Sequence, residues 1–215
     1  MIPAFQDTSS QNTAMKQYYK FQSKIYDTTR WMFLFGRSGL VHHLPIAQDA
    51  PINILEVGCG TGYNLSSFAT YFSQARLTGI DVSEDMIALS RKKVAKFGDR
   101  VNLLSKTYGE DTFTEKEQFD VVLFSYALTM INPQWNSLIE QAYKDIKPGG
   151  LIAVVDFHDT PNSLFKWHMK NNHVRMDSHL VPVLEKHFST LTCDVQNAYL
   201  GFWQYFTFVG IKPYK

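Results

Sequence analysis

A predicted strand, a glycine-rich turn and a predicted helix follow one another near residue 60. The strand covers Ile52–Val57, the turn carries Gly58, Gly60 and Gly62, and the helix covers Tyr63–Phe72. Glycine lets the backbone approach a ligand closely, and the first turn of a helix presents N–H groups that have no partner within the helix. The unit predicts an α/β fold with a ligand at this turn. On the glycines alone, a tight turn without a ligand is the alternative.

The alternation of strand and helix continues along the chain. Further strands are predicted at Arg76–Ile80, Val101–Leu104, Phe119–Phe124 and Leu151–Asp156, with helices at Glu84–Phe97 and from Pro133 to about Ile146. A turn over 147–150, a helix over 177–188 and two β-rich segments over 190–196 and 202–211 complete the pattern. We therefore expect a Rossmann-like, doubly wound α/β fold with a mostly parallel seven-stranded sheet that ends in an antiparallel hairpin.

The chain of 215 residues is expected to form one main domain with an N-terminal extension. Residues 1–12 are rich in polar side chains and predict a disordered tail. Residues 13–50 predict a helical lid that is broken near Gly36 or Gly39, and residues 51–215 predict the main domain. An aromatic helix packed on the core is the alternative to a lid.

Composition excludes several classes of protein. Lys plus Arg total 21 and Asp plus Glu total 20, so the net charge of +1 predicts no nucleic-acid partner. Cys59 and Cys193 are too few for a disulfide framework or a Cys-rich zinc site, and they fit a reducing cytoplasm. The apolar stretches are too short or too interrupted for a membrane-spanning helix, and the polar N-terminus does not read as a secretory signal.

Two acidic residues lie next to the glycine turn. Glu56 is in a strand that should be buried, where a carboxylate is costly unless it is paired. Asp81 follows the second predicted strand about 20 residues after the glycines, where an acid can accept hydrogen bonds from ribose hydroxyls. Ser83 is placed to cap the next helix. These features indicate a nucleoside cofactor, with a solvated loop aspartate as the alternative for Asp81.

The Glu56-x-Gly58-x-Gly60-x-Gly62 pattern, Asp81 and the Lys147-Pro148-Gly149-Gly150 turn resemble the class I S-adenosylmethionine-dependent methyltransferases. The resemblance implies that residues 51–215 are a methyltransferase domain, with the glycines under the methionine part of the cofactor and Asp81 on its ribose. It also implies that Met86 packs on adenine, a core position being the alternative. The cofactor-binding residues expected from it are Glu56, Gly58, Cys59, Gly60, Thr61, Gly62, Asp81, Val82, Met86, Thr107, Tyr108 and Ser125.

The position after the third strand departs from that family. Many members carry a Gly-Asp pair there, whose acid binds the adenine amine, whereas this chain has Thr107 and Tyr108. We expect Thr107, Tyr108 or backbone groups to hold adenine. Glu110 and Asp111 are further candidates, although a solvated loop suits them better.

The N-terminal aromatic segment is expected to contact the methyl acceptor. Tyr19 or Tyr26 can cover the sulfonium, because a cation is favoured over an aromatic face. Arg30 or Arg37 can bind a carboxylate or a phosphate. Tyr126, after the fourth strand, is expected to form a further aromatic wall.

Four histidines follow the fifth strand, and the acceptor is expected near them. They are His158, His168, His173 and His179. Zinc is the alternative, but no pair has tight ligand spacing and no cysteine is nearby, so we expect no metal. His158 and His173 are expected to flank the sulfonium. His158 or Asp156 is expected to take the proton from the acceptor, with Tyr26 beside the reacting atoms.

The outer segments are similar to bacterial betaine-lipid N-methyltransferases, which methylate the amino group of diacylglycerylhomoserine. The similarity is carried by Ile25-Tyr26-Asp27, Arg30-Trp31, Phe33–Arg37, Val155–His158 and His173–Arg175. It implies a lipid-linked amine as acceptor, with a related lipid amine such as phosphatidylethanolamine left open.

The lipid acceptor predicts peripheral docking at the inner face of the membrane by a monomer or homodimer. The residues expected to insert are Trp31, Phe33, Leu34 and Phe35. Two other functions stay open: a methyltransferase of the same class acting on a soluble metabolite or quinone, and a binding module without turnover. The intact glycine turn argues against the binding module. A nucleic-acid methyltransferase is disfavoured by the net charge, and also because Ser125-Tyr126-Ala127-Leu128 stands where relatives that methylate base amino groups carry an Asn/Asp-Pro-Pro-Tyr/Phe motif.

Overall fold

The computed structural model describes residues 33–131, 134–172 and 174–214. Its seven strands form one sheet. They are β1 (Asn53–Val57), β2 (Arg76–Asp81), β3 (Val101–Ser105), β4 (Phe119–Ser125), β5 (Ile146–Phe157), β6 (Ser189–Ala198) and β7 (Trp203–Ile211). Five α-helices accompany them, α1 (Tyr63–Tyr71), α2 (Glu84–Val94), α3 (Trp135–Asp145), α4 (Ser163–Asn171) and α5 (Leu180–His187).

The strand order is β3-β2-β1-β4-β5-β7-β6. The first five strands in that order pair in parallel, and β7 pairs antiparallel with both β5 and β6. The predicted Rossmann-like sheet with a C-terminal hairpin is therefore confirmed. The order reverses between β1 and β4, so a crevice is expected at the carboxyl ends of these strands.

Two apolar cores cover the two faces of the sheet. One core holds the inward side chains of α1 and α2, and the other holds those of α3 and α5. Successive residues of β5 alternate between the cores, with Val155 and Phe157 facing the first and Val154 facing the second. This two-sided burial explains why the central strands read as continuous apolar runs rather than alternating ones.

The segment after residue 32 differs from the prediction. The described part of the predicted lid, residues 33–50, contains turns and one 3₁₀ helix at Leu40–His43, where a helix had been expected. Gly36 has φ +79°, which stops an α-helix, and a Cβ there would lie 2.6 Å from the Tyr205 ring. Phe35 packs on the rings of Tyr199, Trp203 and Tyr205. The segment is held on the C-terminal hairpin, as the core-packing alternative implies.

Two further elements depart from expectation. The helix α4 was not predicted, although Asn162 is a typical cap and its side chain accepts a hydrogen bond from Phe165 N at 2.9 Å. The strand β5 begins at Ile146, so the predicted turn over 147–150 is part of a strand. Gly149 and Gly150 are held there by backbone hydrogen bonds to Lys212. The two glycines predict a turn, but their pairing with Lys212 extends the strand through them.

Candidate active site

The glycine turn lies between β1 and α1 and is held against β2. The N–H groups of Gly58 and Cys59 both donate to the carbonyl of Ile80, at 2.8 and 3.0 Å. Gly58, Gly60 and Gly62 have φ of 72°, 52° and 77°, a region that other residues rarely adopt. A Cβ on Gly60 would meet nothing within 4 Å, so open space lies directly above the turn.

The carboxylate of Asp81 ties the turn to the end of β2. One oxygen accepts from Gly60 N at 2.9 Å, and the other accepts from Ser83 N at 2.9 Å. Ser83 also caps α2, since its hydroxyl accepts from Met86 N. Carboxylate oxygens can each accept more than one hydrogen bond, so these contacts leave acceptor capacity for a ribose hydroxyl. The ribose role itself stays a prediction.

Glu56 is buried beneath the turn with one oxygen unpartnered. Asn64, in the first turn of α1, donates to Glu56 Oε1 at 2.8 Å. Within the described residues Glu56 Oε2 and Asn64 Oδ1 have no hydrogen-bond partner. Burial raises the pKa of Glu56 from 4.5 to about 8, the nearby Asp81 adds to the rise, and the Asn64 hydrogen bond opposes it. A buried acceptor without a partner fits a ligand cation, and the methionine ammonium of S-adenosylmethionine supplies one.

Arg37 lies beside this end of the site. Its guanidinium stacks over the ring of Tyr63, the first residue of α1, at 4.0 Å from the ring centroid. Its charge also lowers the pKa values of Glu56 and Tyr126, against the larger effect of burial. The arginine predicted to meet the acceptor therefore stands close to the glycine turn.

The residues expected around adenine have mixed positions. Met86 is 1% exposed, which matches the core alternative, and Val82 is partly exposed. Tyr108 is buried and its hydroxyl donates to Asp145 Oδ2 at 2.7 Å, so that hydroxyl is used in the core. Thr107 is exposed, so its side chain lies at the surface of the loop after β3.

The rest of the turn is tightly packed. Cys59 is buried, and burial raises the pKa of its thiol. Thr61 is 8% exposed, and its hydroxyl accepts from Lys93 Nζ at 3.4 Å. These two residues shape the turn from below.

The loop after β4 forms the next wall. Ser125 ends β4 partly exposed, and Tyr126 follows with φ +52°. Tyr126 N donates to Val155 O at 2.8 Å, and its hydroxyl donates to Phe35 O at 2.8 Å. Its ring packs on Phe157 with centroids 4.8 Å apart. Tyr126 is 3% exposed, so it supports the wall from within the core.

Asp156 is placed in the core and does not fit the expected role of proton acceptor. Its side chain is 0% exposed. Its carboxylate accepts hydrogen bonds from the N–H groups of Leu128, Thr129 and Phe157 and from the Thr129 hydroxyl. Burial raises its pKa to about 6 against the effect of these hydrogen bonds. Asp156 therefore positions the loop after β4, which strand periodicity alone did not reveal.

His158 continues the same face of β5 and reaches the surface. It is partly exposed, its ring packs on Phe206 at 5.9 Å, and Nδ1 is buried without a hydrogen-bond partner among the described residues. Burial lowers its pKa, so the ring is neutral at pH 7 and can accept a proton. His158 lies at the carboxyl end of β5, the end of the sheet where the crevice is expected. Its role as proton acceptor therefore stays a prediction.

Several predicted residues lie outside the described ranges. They are Tyr19, Tyr26, Arg30, Trp31 and His173. Within those ranges, no group of His, Cys, Asp and Glu side chains is arranged to hold a metal ion. Nor does any helix there have the length and apolar character needed to cross a bilayer.

Sequence reasoning missed two residues that shape the site. Asn64 is the partner of Glu56, and Thr129 is the main side-chain partner of Asp156. The signal for Asn64 was a polar residue two positions after the last glycine of the turn. Thr129 carried no such signal, because only the tertiary fold brings it to β5.

Comparison with known proteins identifies the central part of the chain. Residues 54–150 match a family model described as a methyltransferase domain. Over this segment the chain is similar to the methyltransferase family. The match supports the methyltransferase resemblance of the glycine turn, and S-adenosylmethionine is the cofactor that the comparisons indicate.

Two curated methyltransferases are similar in sequence. A malonyl-[acyl-carrier protein] O-methyltransferase of Priestia megaterium is 34% identical over 149 residues, covering 66% of this chain and 51% of that protein. A demethylmenaquinone methyltransferase of Clavibacter sepedonicus is 28% identical over 148 residues, covering 67% of this chain and 58% of that protein. This chain therefore spans little more than half the length of these relatives.

A solved methyltransferase shares the fold over nearly the whole chain. The 1,6-didemethyltoxoflavin-N1-methyltransferase of Burkholderia thailandensis, with bound 1,6-didemethyltoxoflavin and S-adenosylhomocysteine, has a TM-score of 0.76 at 14% identity. The superposition covers 99% of this chain and 93% of that one. The relatives act on a quinone precursor, a carrier-bound acid and a heterocycle, so their names do not single out a betaine lipid.

Proposed function

We propose that this chain transfers methyl groups from S-adenosylmethionine to the amino group of a membrane lipid with a diacylglycerylhomoserine-like head group. The observation that supports the donor is Glu56 Oε2, buried and unpartnered under the glycine turn, where the methionine ammonium would sit. The sequence similarity of the outer segments supports the acceptor. The reaction would take place at the inner face of the cytoplasmic membrane.

The donor is proposed to lie across the glycine turn. Glu56 would pair with the ammonium of the methionine part, and Asp81 would accept a hydrogen bond from a ribose hydroxyl. Arg37 lies close enough to Glu56 to affect its pKa, so its guanidinium would also be close to the methionine carboxylate and would balance that negative charge. When bound, S-adenosylmethionine supplies an electrophilic methyl group. Open space above Gly60 is what the close approach of such a ligand requires.

The protein's own task is to present a neutral amine in line with that methyl group. An ammonium with a pKa near 10 must lose its proton, which costs about 4 kcal/mol at pH 7. His158 is proposed to accept it, because burial lowers the pKa of this ring and leaves it neutral. The packed, buried rings of Tyr126 and Phe157 form an aromatic wall, and this wall would exclude water from the carboxyl ends of β4 and β5.

A quinone-type acceptor is the second candidate. It is favoured by the similarity to the demethylmenaquinone methyltransferase, which covers 67% of this chain. The nucleophile would be the reduced quinol, which reacts at carbon or oxygen and needs no quaternary ammonium site, so the two candidates differ in product.

The experiment is methyl transfer from labelled S-adenosylmethionine by the purified full chain. Three reactions run in parallel: with a bacterial lipid extract containing amino lipids, with a demethylated quinone kept chemically reduced to its quinol, and with a water-soluble metabolite extract. Label on an amino lipid, with mass increments of successive methyl groups, supports the proposal. Label only on the quinone replaces the lipid amine by the second candidate. Label only in the soluble fraction excludes both.

A further inference from the structure

Large apolar side chains are exposed on α4 and on the tip of the β6–β7 hairpin. They are Leu164 at 72%, Trp167 at 61%, Tyr199 at 47%, Leu200 at 108% and Phe202 at 44% exposure. We call these five residues the edge patch. Single exposed apolar residues are ordinary, but several on neighbouring elements mark an interaction surface.

The two elements of the edge patch are joined. The rings of Phe165 and Phe202 lie 5.0 Å apart, and Thr160 Oγ1 donates to Phe202 O at 2.7 Å. The helix α4 follows the carboxyl end of β5, and β7 begins beside it, since Phe157 pairs with Tyr205. The edge patch therefore lies at the sheet edge that carries the glycine turn and His158.

The helix α4 has a fixed orientation. Phe165 and Met169 pack on the core, and Leu164 and Trp167 project from the opposite side, three residues apart as one helical face requires. The Asn162 cap sets where the helix begins. The contacts of α4 with the core therefore fix the orientation of its exposed face, and the exposure is not caused by fraying of the helix end.

The hairpin tip presents its side chains at a conformational cost. Tyr199 and Leu200 have φ of 46° and 57°, which residues with a Cβ seldom adopt. A polar Asn or a Gly would suit that geometry better, and the leucine gains no contact in the fold because it is fully exposed. A residue that breaks a local rule without a folding benefit indicates function.

Charge complements this apolar surface. The segment 160–172 contains Lys166, His168 and Lys170 and no acidic residue, and the tip 195–205 carries no charged residue. Lys166 pairs with Asp159 at 2.6 Å but remains partly exposed. Tryptophan and leucine flanked by lysines are typical of segments that lie in the interface of an anionic bilayer.

We propose that the edge patch is the surface by which this protein docks on an anionic lipid bilayer, with Trp167, Leu164 and Leu200 in the interface. This goes beyond the proposed acceptor, because a quinone held in the same bilayer would require such docking equally. It also differs from the predicted insertion of residues 31–35, of which Leu34 and Phe35 pack on the core.

The test is sedimentation of the full chain with vesicles of phosphatidylcholine and phosphatidylglycerol. Wild type should bind, and binding should weaken with salt and with vesicles of phosphatidylcholine alone. Leu164→Ser/Trp167→Ser should lower the partition coefficient at least tenfold. Leu200→Ser, at a side chain that is fully exposed, should lower it without affecting the circular dichroism spectrum. The matched control is Leu191→Ser, which alters a side chain 48% exposed near the opposite end of β6 and should bind as wild type does.

Brominated lipids give a second readout. They should quench tryptophan fluorescence in wild type more strongly than in Trp167→Phe. Three results overturn the proposal. One is wild type that does not bind the vesicles, or folded patch variants that bind equally. Another is a wild-type dimer that the patch substitutions convert to monomer, which makes the patch a contact between copies. The third is Trp167 shielded from acrylamide without vesicles, which means that residues 1–32 cover it.

Discussion

Replacing Glu56 by Gln should change how stability depends on pH. In the unfolded chain the carboxyl group loses its proton near pH 4.5, whereas burial in the folded chain raises its pKa to about 8. Between these values the folded state holds the extra proton, so stability falls as pH rises and the loss is complete near pH 8. At about 1.4 kcal/mol per pH unit, the whole effect comes to ~5 kcal/mol.

The Glu56→Gln substitution removes this dependence but keeps the contact with Asn64, because the amide oxygen can accept the same hydrogen bond. The unfolding free energy of the variant relative to wild type should therefore rise by roughly 3 kcal/mol between about pH 5.5 and about pH 7.5. Urea unfolding of both proteins at the two pH values measures it. Other titrating groups are common to both proteins and cancel.

The cofactor provides the second arm of the test. Wild type should gain thermal stability from S-adenosylmethionine, and Glu56→Gln should lose at least tenfold in affinity because an amide, unlike the carboxyl group, cannot ionise to pair with the ammonium. Glu115→Gln, which changes an exposed acid, is the control for loss of charge. If the stability difference between wild type and Glu56→Gln is the same at both pH values, the ionisation argument is wrong.

Four further substitutions test the rest of the site. Gly60→Val should leave a folded chain about 1–2 kcal/mol less stable, because of its φ of +52°, and should abolish cofactor binding in calorimetry; tight binding by the folded variant refutes the site. Asp81→Ala should cost about 1–3 kcal/mol, because Gly60 N loses its acceptor, and weaken cofactor binding at least tenfold; unchanged affinity removes Asp81 from the site. Asp156→Ala should lower the unfolding free energy by about 3 kcal/mol or more, by removing the buried acceptor of the N–H groups of Leu128 and Thr129, and a fully stable variant contradicts this. His158→Gln should reduce turnover about a hundredfold with cofactor affinity unchanged, and equal turnover excludes His158 as proton acceptor.

Local patterns in the sequence were sufficient for the fold and for the glycine turn. The alternation of apolar strands with helices depends on residues near one another in the chain, and parallel pairing follows from it. The three glycines, Glu56 and Asp81 could be identified for the same reason, because a strand, its turn and the next helix are contiguous. The Ser83 cap was likewise a local feature and is confirmed.

The orientation of side chains along β5 depended on the tertiary structure. Asp156 lies in β5 and His158 directly follows this strand. The two residues are two positions apart and look equivalent in sequence. Only the loop after β4, which arrives from residues 128–129, shows that Asp156 is enclosed while His158 reaches the surface. Tyr108 likewise became a core residue through a contact distant in the chain, the hydrogen bond from its hydroxyl to Asp145.

The exposed face of α4 was also decided by the tertiary fold. Its sequence mixes apolar and basic residues, and Phe165, Met169, Leu164 and Trp167 are all apolar. Packing against the core, which for Phe165 includes Phe202 of the hairpin, partly buries the first two and leaves the last two in solvent. Helix periodicity shows which residues share a face, but which face is covered depends on the neighbour that the chain brings to it, and here that neighbour lies about 35 residues further along the chain.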